Sequence, residues 1–269
     1  MSGLGLLDKQ VAVFRRDLLT ALRYRTLFWM QTGGMLAELA AFYYLAVAVG
    51  PQFRPEGMGY FPFLLVGTAF YGFLLTSISS FVAAVREAQV TGTMEVLMTT
   101  STPAPLIVVL TAISAMAGRI LNAAFYVLVG LVLFRVPLEH PNLLGFGAVF
   151  SLSLAVIVAL GIAAAAIQLV LQKGDGVVWL LGSFSWFLTG TIFPVGALPA
   201  PLQKLAALIP FTHSMDGLRL ALLRGASFSE LAEPIGVLAL FAVVLLPLSL
   251  GIFSLALRRA RLQGSLSFY

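Results

Sequence analysis

Cysteine is absent from the 269 residues, and only 10% of the residues are charged. Without cysteine the chain can form no disulfide, no thiolate metal site and no thiol nucleophile. A soluble domain carries about 25% charged residues, whereas this chain is 60% hydrophobic with a mean hydropathy of +1.00. The apolar residues come in runs long enough to cross a bilayer, which predicts a polytopic membrane protein.

Motifs of common catalytic sites are also missing. No Gly-Lys dipeptide occurs, so the chain has no phosphate-binding loop of the GxxxxGK[ST] kind and cannot hydrolyse ATP by that route. Neither GxSxG nor HExxH occurs. The two histidines, His140 and His213, fall in predicted loops that are far apart in the sequence. We therefore expect no catalytic residue, no metal and no cofactor bound by this chain.

The positive charge of the chain, +5 with an isoelectric point near 9.8, does not indicate a nucleic-acid partner. Its basic residues cluster beside the apolar runs, where the topology rule for membrane proteins places them. An even number of spans puts both termini on one side of the membrane, and that side holds most of the lysine and arginine. We therefore expect an inner-membrane (plasma-membrane) protein with both termini in the cytoplasm.

The apolar runs predict an all-α fold, a single transmembrane domain over 1–269 with six spans. A basic amphipathic helix over 4–25 precedes them and is expected to lie in the membrane interface against lipid headgroups. The predicted spans cover 27–49, 61–85, 105–134, 143–171, 177–193 and 235–257. Between spans five and six, four prolines interrupt residues 194–233, which predicts a helical hairpin that enters the membrane edge and returns.

The longest polar interruption, 86–102, follows span two and reads REAQVTGTMEVLMTTST. It opens with the charged pair Arg86 and Glu87, continues through a Thr-Gly-Thr turn, and then has the spacing of a short amphipathic helix. Glu95 falls in the first turn of that helix, where the helix dipole favours a carboxylate. This pattern predicts a rigid surface helix between two spans that a soluble partner could bind.

Three polar residues fall within the predicted spans, Glu38 in span one and Arg119 and Asn122 in span three. Charged side chains are costly in lipid and face a bundle interior, water or each other. One interpretation is that they line a translocation route. The other is structural: an ion pair between Glu38 and Arg119, or Arg119 reaching the interface, with Asn122 as an interhelical hydrogen-bonding group.

Two motifs in this topology resemble the permease subunits of type-2 ABC exporters, a family that includes drug, lipid and polysaccharide exporters. The first motif follows span two and consists of Arg86, Glu87, Gly92, Thr93, Glu95, Leu97, Thr102 and Pro103. The second follows span five and consists of Phe193, Pro194, Leu198, Pro199, Pro210 and Arg219. Gln89 and Val90 lengthen the interval between the charged pair and Gly-Thr relative to many members of the family.

The resemblance implies that 86–102 is a coupling helix seated in a groove of a separate cytoplasmic ABC ATPase, which binds ATP and Mg. Two ATPase copies and a second permease chain, identical or paralogous, would complete the transporter. The coupling residues would be Arg86, Glu87, Gly92, Thr93, Glu95, Leu97 and Met98. The hairpin at Phe193, Pro194, Pro199, Pro210 and Arg219 would shape the outer exit, and the substrate would be a lipid, drug or glycan amphiphile.

Two other functions fit parts of the pattern. An ion-coupled secondary transporter could use Glu38 as its proton site, but it would need inverted repeats and helix breaks near the membrane midplane. An intramembrane enzyme would need a cluster of nucleophile, base or metal ligands, and the sequence offers none.

Overall fold

The computed structural model describes residues 25–92, 104–138 and 140–263. These residues are helical apart from turns, so the predicted all-α class is confirmed for the described part of the chain. The predicted interfacial helix 4–25 lies, except for Arg25, outside the described residues. The same holds for 93–102 of the predicted coupling helix.

Eight α-helices occur in the described residues. In chain order they are α1 (Arg25–Val49), α2 (Tyr60–Val90), α3 (Ala104–Leu133), α4 (Leu143–Leu171), α5 (Gly174–Leu188), α6 (Ala200–Ala207), α7 (Pro210–Leu223) and α8 (Ala232–Gln263). Two short 3-10 turns, Pro55–Gly57 and Val195–Ala197, lie in the connections.

Within the described ranges, four stretches of helix are long and apolar enough to cross a membrane, Trp29–Val49, Tyr60–Val90, Leu143–Leu171 and Ala232–Ala260. The helix α3 has 30 residues, with a shorter apolar part at Gly118–Leu133. The helix α5 has only 15 residues, about 22 Å of helix, which is less than the ~30 Å hydrocarbon core. The structure therefore supports a multi-pass membrane protein, and the count of six spans stays a prediction.

Three helices differ from the sequence-based expectation in their bounds, and the largest extension is that of α8, which was expected over 235–257 but runs from Ala232 to Gln263. Span two was expected to end at residue 85, but α2 continues to Val90, so Arg86 and Glu87 lie in its last turns. It ends where Gly92 adopts a φ of +68°, a conformation that glycine adopts at little cost. Span five was expected over 177–193, but α5 begins at Gly174 and ends at Leu188, just before Gly190 takes a φ of +74°.

The core is built around α2 and α4. The helix α2 packs against α3, α4, α5 and α7, and α4 pairs along its length with α8. Phe81 of α2, Ile157 of α4 and Phe253 of α8 are buried in this core. By contrast, α1 contributes to a small separate cluster through Leu39 and presents most of its surface outwards. One side of the bundle is therefore left without cover within the single chain.

The two ends of the bundle follow from the alternation of the helices. We call the end that contains Arg86 the Arg86 end; it holds the start of α1, the end of α2, the α4–α5 turn and the end of α8. The opposite end, the Arg219 end, holds the loop at 50–59, the start of α4 and the hairpin of α6 and α7. The Thr212 hydroxyl of α7 donates to the Ala206 carbonyl at 2.7 Å and joins the two helices of that hairpin.

Candidate functional site

A polar cavity of about 470 Å³ lies between α1, α2 and α3, with Trp186 of α5 at its side. Glu38, Arg119 and Asn122, the three polar residues identified in the spans, all line it. Four further polar side chains contribute, Thr68, Tyr71, Thr76 and Tyr126. Residues from three separate helices thus combine into one polar space within the bundle.

Helical spacing explains how these side chains come together. Arg119, Asn122 and Tyr126 stand at steps of three and four residues along α3 and share one face, as Thr68 and Thr76 do on α2. The Tyr126 hydroxyl lies 3.2 Å from the Thr68 hydroxyl, which itself donates to the Leu64 carbonyl at 2.8 Å. The sequence analysis did not identify Tyr126, although its spacing from Arg119 and Asn122 was a usable signal.

The two charged residues of the cavity are not paired with each other. The Glu38 carboxyl group interacts with the Tyr126 hydroxyl. No ion pair joins Glu38 to Arg119 in the described parts of the chain, so the structural pairing considered from the sequence is not observed. Both side chains are exposed in the single chain, near the middle of their helices. A charged group in that position requires cover by protein, water or a ligand.

Arg219 of α7 forms a second buried polar centre at the Arg219 end. Its side chain has no solvent exposure, and its guanidinium lies 3.5 Å from the centre of the Phe63 ring. It donates to the Phe63 carbonyl at 3.0 and 3.2 Å, to the Gly190 carbonyl at 2.7 Å and to the Thr191 carbonyl at 3.0 Å. Arg219 therefore fastens the hairpin to the start of α2 and to the turn after α5.

The other hairpin residues predicted from the sequence lie in the turn after α5 and at the starts of α6 and α7. Pro210 is buried in the first turn of α7, where proline is favoured. Pro194 and Pro199 accept turn hydrogen bonds from Ala197 and Leu202 at 2.9 Å each, and Phe193 is partly buried. The prolines thus stand at the turns and helix starts of the hairpin.

A smaller cavity of about 350 Å³ lies between the hairpin and the start of α8, lined in part by His213, Asp216, Glu230 and Glu233. Burial raises the pKa of Asp216 from its ordinary 3.8 to about 7, and the charge of Glu56 adds to that shift while Arg219 opposes it. In the described residues no group of three or more histidine or carboxylate side chains is placed to hold a metal ion.

The Arg86 end carries two further links between helices. Arg86 Nη1 donates to Asp175 Oδ2 at 2.6 Å, an exposed ion pair between α2 and the first turn of α5. Beneath it the Gln89 amide is fully buried and donates to the Leu169 carbonyl at 3.3 Å. These contacts hold the end of α2 against α4 and α5.

The predicted coupling residues are only partly described. Arg86 and Glu87 lie on α2, and Gly92 forms the turn that ends it. Thr93, Glu95, Leu97 and Met98 lie outside the described residues. Gln89 also accepts a hydrogen bond at Oε1 from Nε2 of the buried Gln168 at 3.2 Å. The sequence alone did not predict this pair, although polar residues near the end of an apolar run are a recognisable signal.

Comparison with known proteins adds two findings. A family model described as "ABC-2 family transporter protein" matches residues 41–250, which span the helices from α1 into α8. A curated relative, Nodulation protein J of Rhizobium leguminosarum bv. viciae, is 41% identical over 58 residues, which is 22% of this chain and 22% of that protein. The match with that relative therefore covers about a fifth of its length.

Proposed function

The chain belongs to the ABC-2 family of transporter proteins, and from this premise we propose that it is the permease subunit of an ATP-driven exporter. The family match over 41–250 is the observation that carries the proposal. Since the sequence has no phosphate-binding loop, the ATP and Mg would be bound by a separate cytoplasmic ABC ATPase. The chain would act as a transport subunit and not as an enzyme.

The stretch 86–102 would receive the force from that ATPase. The contacts of its first residues support this role. Arg86 is joined to Asp175 of α5, and Gln89 is buried against α4. A displacement of the residues after Gly92 would therefore be passed to α4 and α5 as well as to α2. Two ATPase copies would act on two permease chains, with both termini and the Arg86 end in the cytoplasm.

A second permease chain, identical or paralogous, would cover the open side of the bundle. Trp29, Tyr44 and Val47 of α1 are 69%, 68% and 59% exposed, which lipid can tolerate. Lipid would not tolerate the exposed charges of Glu38 and Arg119 at mid-helix. A partner on this face would enclose the polar cavity and place it beside a route between the two chains. That enclosed space, polar within an apolar bundle, suits an amphiphilic substrate.

The proposal is tested by reconstituting the permease with its ATPase in liposomes and measuring ATP hydrolysis and export together. We expect Glu95→Lys to lower export at least about tenfold while the variant still inserts and keeps its basal ATPase activity. The matched control is Glu233→Lys, the same charge reversal on an exposed residue of the Arg219 end. ATP-independent pumping by the permease alone would refute the proposal.

A second candidate function is proton-coupled transport through Glu38. The carboxyl group of Glu38 stands beside Tyr126 in a polar cavity, as a protonatable pathway residue would. The two functions differ in energy source. Transport that continues without ATP and stops when a proton ionophore is added would favour the second candidate.

A further inference from the structure

The polar cavity shares a wall with a second cavity of different chemistry. The second cavity has a volume of about 440 Å³ and lies between α2, α3, α4 and α7, and all its lining residues are apolar. Ala69 and Phe73 of α2 and Ala123 of α3 line both cavities. The two spaces therefore meet at the contact between α2 and α3.

The apolar cavity can be reached from the lipid. Leu128 and Leu143 at its rim are 58% and 67% exposed, whereas Phe73 at the shared wall is only 3% exposed. An acyl chain could therefore enter sideways from the bilayer and extend inwards to the wall. Ala69 and Ala123 present only methyl groups at this wall, where a narrow chain would have to pass between the two helices.

The polar cavity complements a headgroup with two opposite charges. It holds one carboxyl group, Glu38, and one guanidinium group, Arg119, which do not pair with each other in the described residues. Arg119 can bind a phosphate or sulfate, and Glu38 can bind an ammonium group. Asn122 and Tyr126 add neutral hydrogen-bonding groups. A purely apolar ligand would leave both charges without a partner of opposite charge, which is costly in a membrane interior.

We propose that the two cavities together bind one single-chain zwitterionic amphiphile, with its headgroup in the polar cavity and its acyl chain in the apolar cavity. Each volume falls within the range of about 300–1,000 Å³ of small-molecule sites. The assignment rests on the proposed export function and specifies its substrate class. It names the α2–α3 contact as the place where that substrate is held before export.

Photolabelling of the permease–ATPase complex in phosphatidylglycerol liposomes tests the site without requiring transport. The probe is dodecylphosphocholine with a diazirine in its chain, and mass spectrometry locates the label. We expect labelled peptides from the apolar cavity around Leu128. Unlabelled dodecylphosphocholine should displace the probe about tenfold better than dodecyl phosphate or dodecyl maltoside does. Equal displacement by all three compounds would mean that the groove binds any chain, and would overturn the assignment.

Substitutions of the two charged residues test whether the headgroup lies in the polar cavity. Arg119→Gln should weaken displacement by both dodecylphosphocholine and dodecyl phosphate, and Glu38→Gln should remove the preference between them. The control for charge is Arg258→Gln, since Arg258 is exposed and lines neither cavity. Unchanged displacement profiles in both cavity variants would contradict the headgroup placement.

Two size variants test the shared space. Gly72 lines the polar cavity and a Cβ added there meets no atom within 4 Å, so Gly72→Leu should fill the cavity while the protein still folds. Ala123→Trp should close the wall between the cavities. Both should reduce labelling at least about tenfold, whereas Leu121→Trp, at an exposed position of α3 outside both cavities, should not. Full labelling of a folded Gly72→Leu variant would refute the shared site.

The outcome is separable from the proposed function. If ATP-driven export is observed but the probe labels elsewhere, the substrate site is wrong and the permease function stands. If the probe binds as expected but no ATPase stimulates transport, the site stands as a lipid site and the permease function falls.

Discussion

Gln168 of α4 donates a hydrogen bond from Nε2 to Oε1 of Gln89 on α2 at 3.2 Å, and both side chains are buried. Gln168 Oε1 also accepts the Gly174 backbone N–H at 2.8 Å, at the first residue of α5. A single amide thus connects three helices at the Arg86 end. A buried amide without partners would be costly, so this connection constrains how those helices move relative to one another.

We expect Gln168→Leu to lower the free energy of unfolding by about 1–3 kcal/mol, because the Gln89 amide and the Gly174 N–H lose a buried partner. Thermal unfolding of the purified protein measures this loss. The double variant Gln89→Leu/Gln168→Leu should lose less stability than the two single variants lose together, by more than about 0.5 kcal/mol. Gln52→Leu, at an exposed loop position, is the control. Strictly additive losses would show that the two amides do not interact.

Arg219 is expected to tolerate no replacement, including lysine. Arg219→Lys keeps the charge but loses the planar guanidinium that lies on Phe63 and donates to three carbonyl groups. We expect a loss of stability on the order of 2–4 kcal/mol from several unsatisfied buried groups. Arg224→Lys at an exposed position of the same hairpin should stay within about 0.5 kcal/mol of wild type. Equal melting temperatures for the two variants would contradict this role of Arg219.

Replacing either of two glycines of α2 by alanine should change the stability of the protein, in opposite directions at the two positions. A Cβ at Gly67 would overlap Arg219 Nη2 and the Thr191 carbonyl oxygen, whereas a Cβ at Gly72 meets nothing within 4 Å. We expect Gly67→Ala to destabilise the protein by about 1–3 kcal/mol and Gly72→Ala to stabilise it by up to about 1 kcal/mol. Denaturation curves of the two variants, measured side by side, check the difference in sign. A Gly67→Ala protein as stable as wild type would show that α2 and Arg219 leave room for a methyl group at this position.

Asp216 should make stability fall as pH rises. Its pKa is raised from 3.8 to about 7, chiefly by burial and then by Glu56, so the folded protein binds this proton more tightly than the unfolded chain does. The stabilising contribution is complete below about pH 4 and is lost as the pH rises to about 7. Asp216→Asn should flatten this part of the curve of melting temperature against pH. A control variant, Glu230→Gln, should leave that slope in place; an unchanged slope in Asp216→Asn would rule Asp216 out as its source.

The proposed topology predicts which side of the membrane labels a single introduced cysteine. Because the chain has no native cysteine, any labelling comes from the introduced residue. A cysteine at Gln52 should react with an impermeant maleimide from outside the cell. A cysteine at Val90, which is 64% exposed, should react only after the membrane is opened. Gln89 is unsuitable although it is adjacent, since it is fully buried. The reverse pattern would invert the proposed orientation.

Some residues of the candidate site could be identified from the sequence, but their arrangement in space could not. Glu38, Arg119 and Asn122 could be identified from the sequence because charged or amide groups in apolar runs are rare and conspicuous. Their assembly with Thr68 and Tyr126 depends on the rotation of three helices, which no single helix specifies. The ion pair of Glu38 and Arg119, one of the alternatives considered, is not present among the described residues because α1 and α3 present these side chains to one cavity without bringing them into contact.

The sequence alone determined that this chain is helical and embedded in a membrane, because long apolar runs with so few charges have no other stable environment. It also contained enough of two motifs to indicate the transporter family. Only the tertiary structure decided that α2 extends beyond its apolar run and that a polar cavity adjoins an apolar one. It also decided that Arg219 is buried and donates hydrogen bonds to three carbonyl groups. These features depend on contacts between residues far apart in the chain, such as Phe63 and Arg219, and local residue preferences carry no information about such distances.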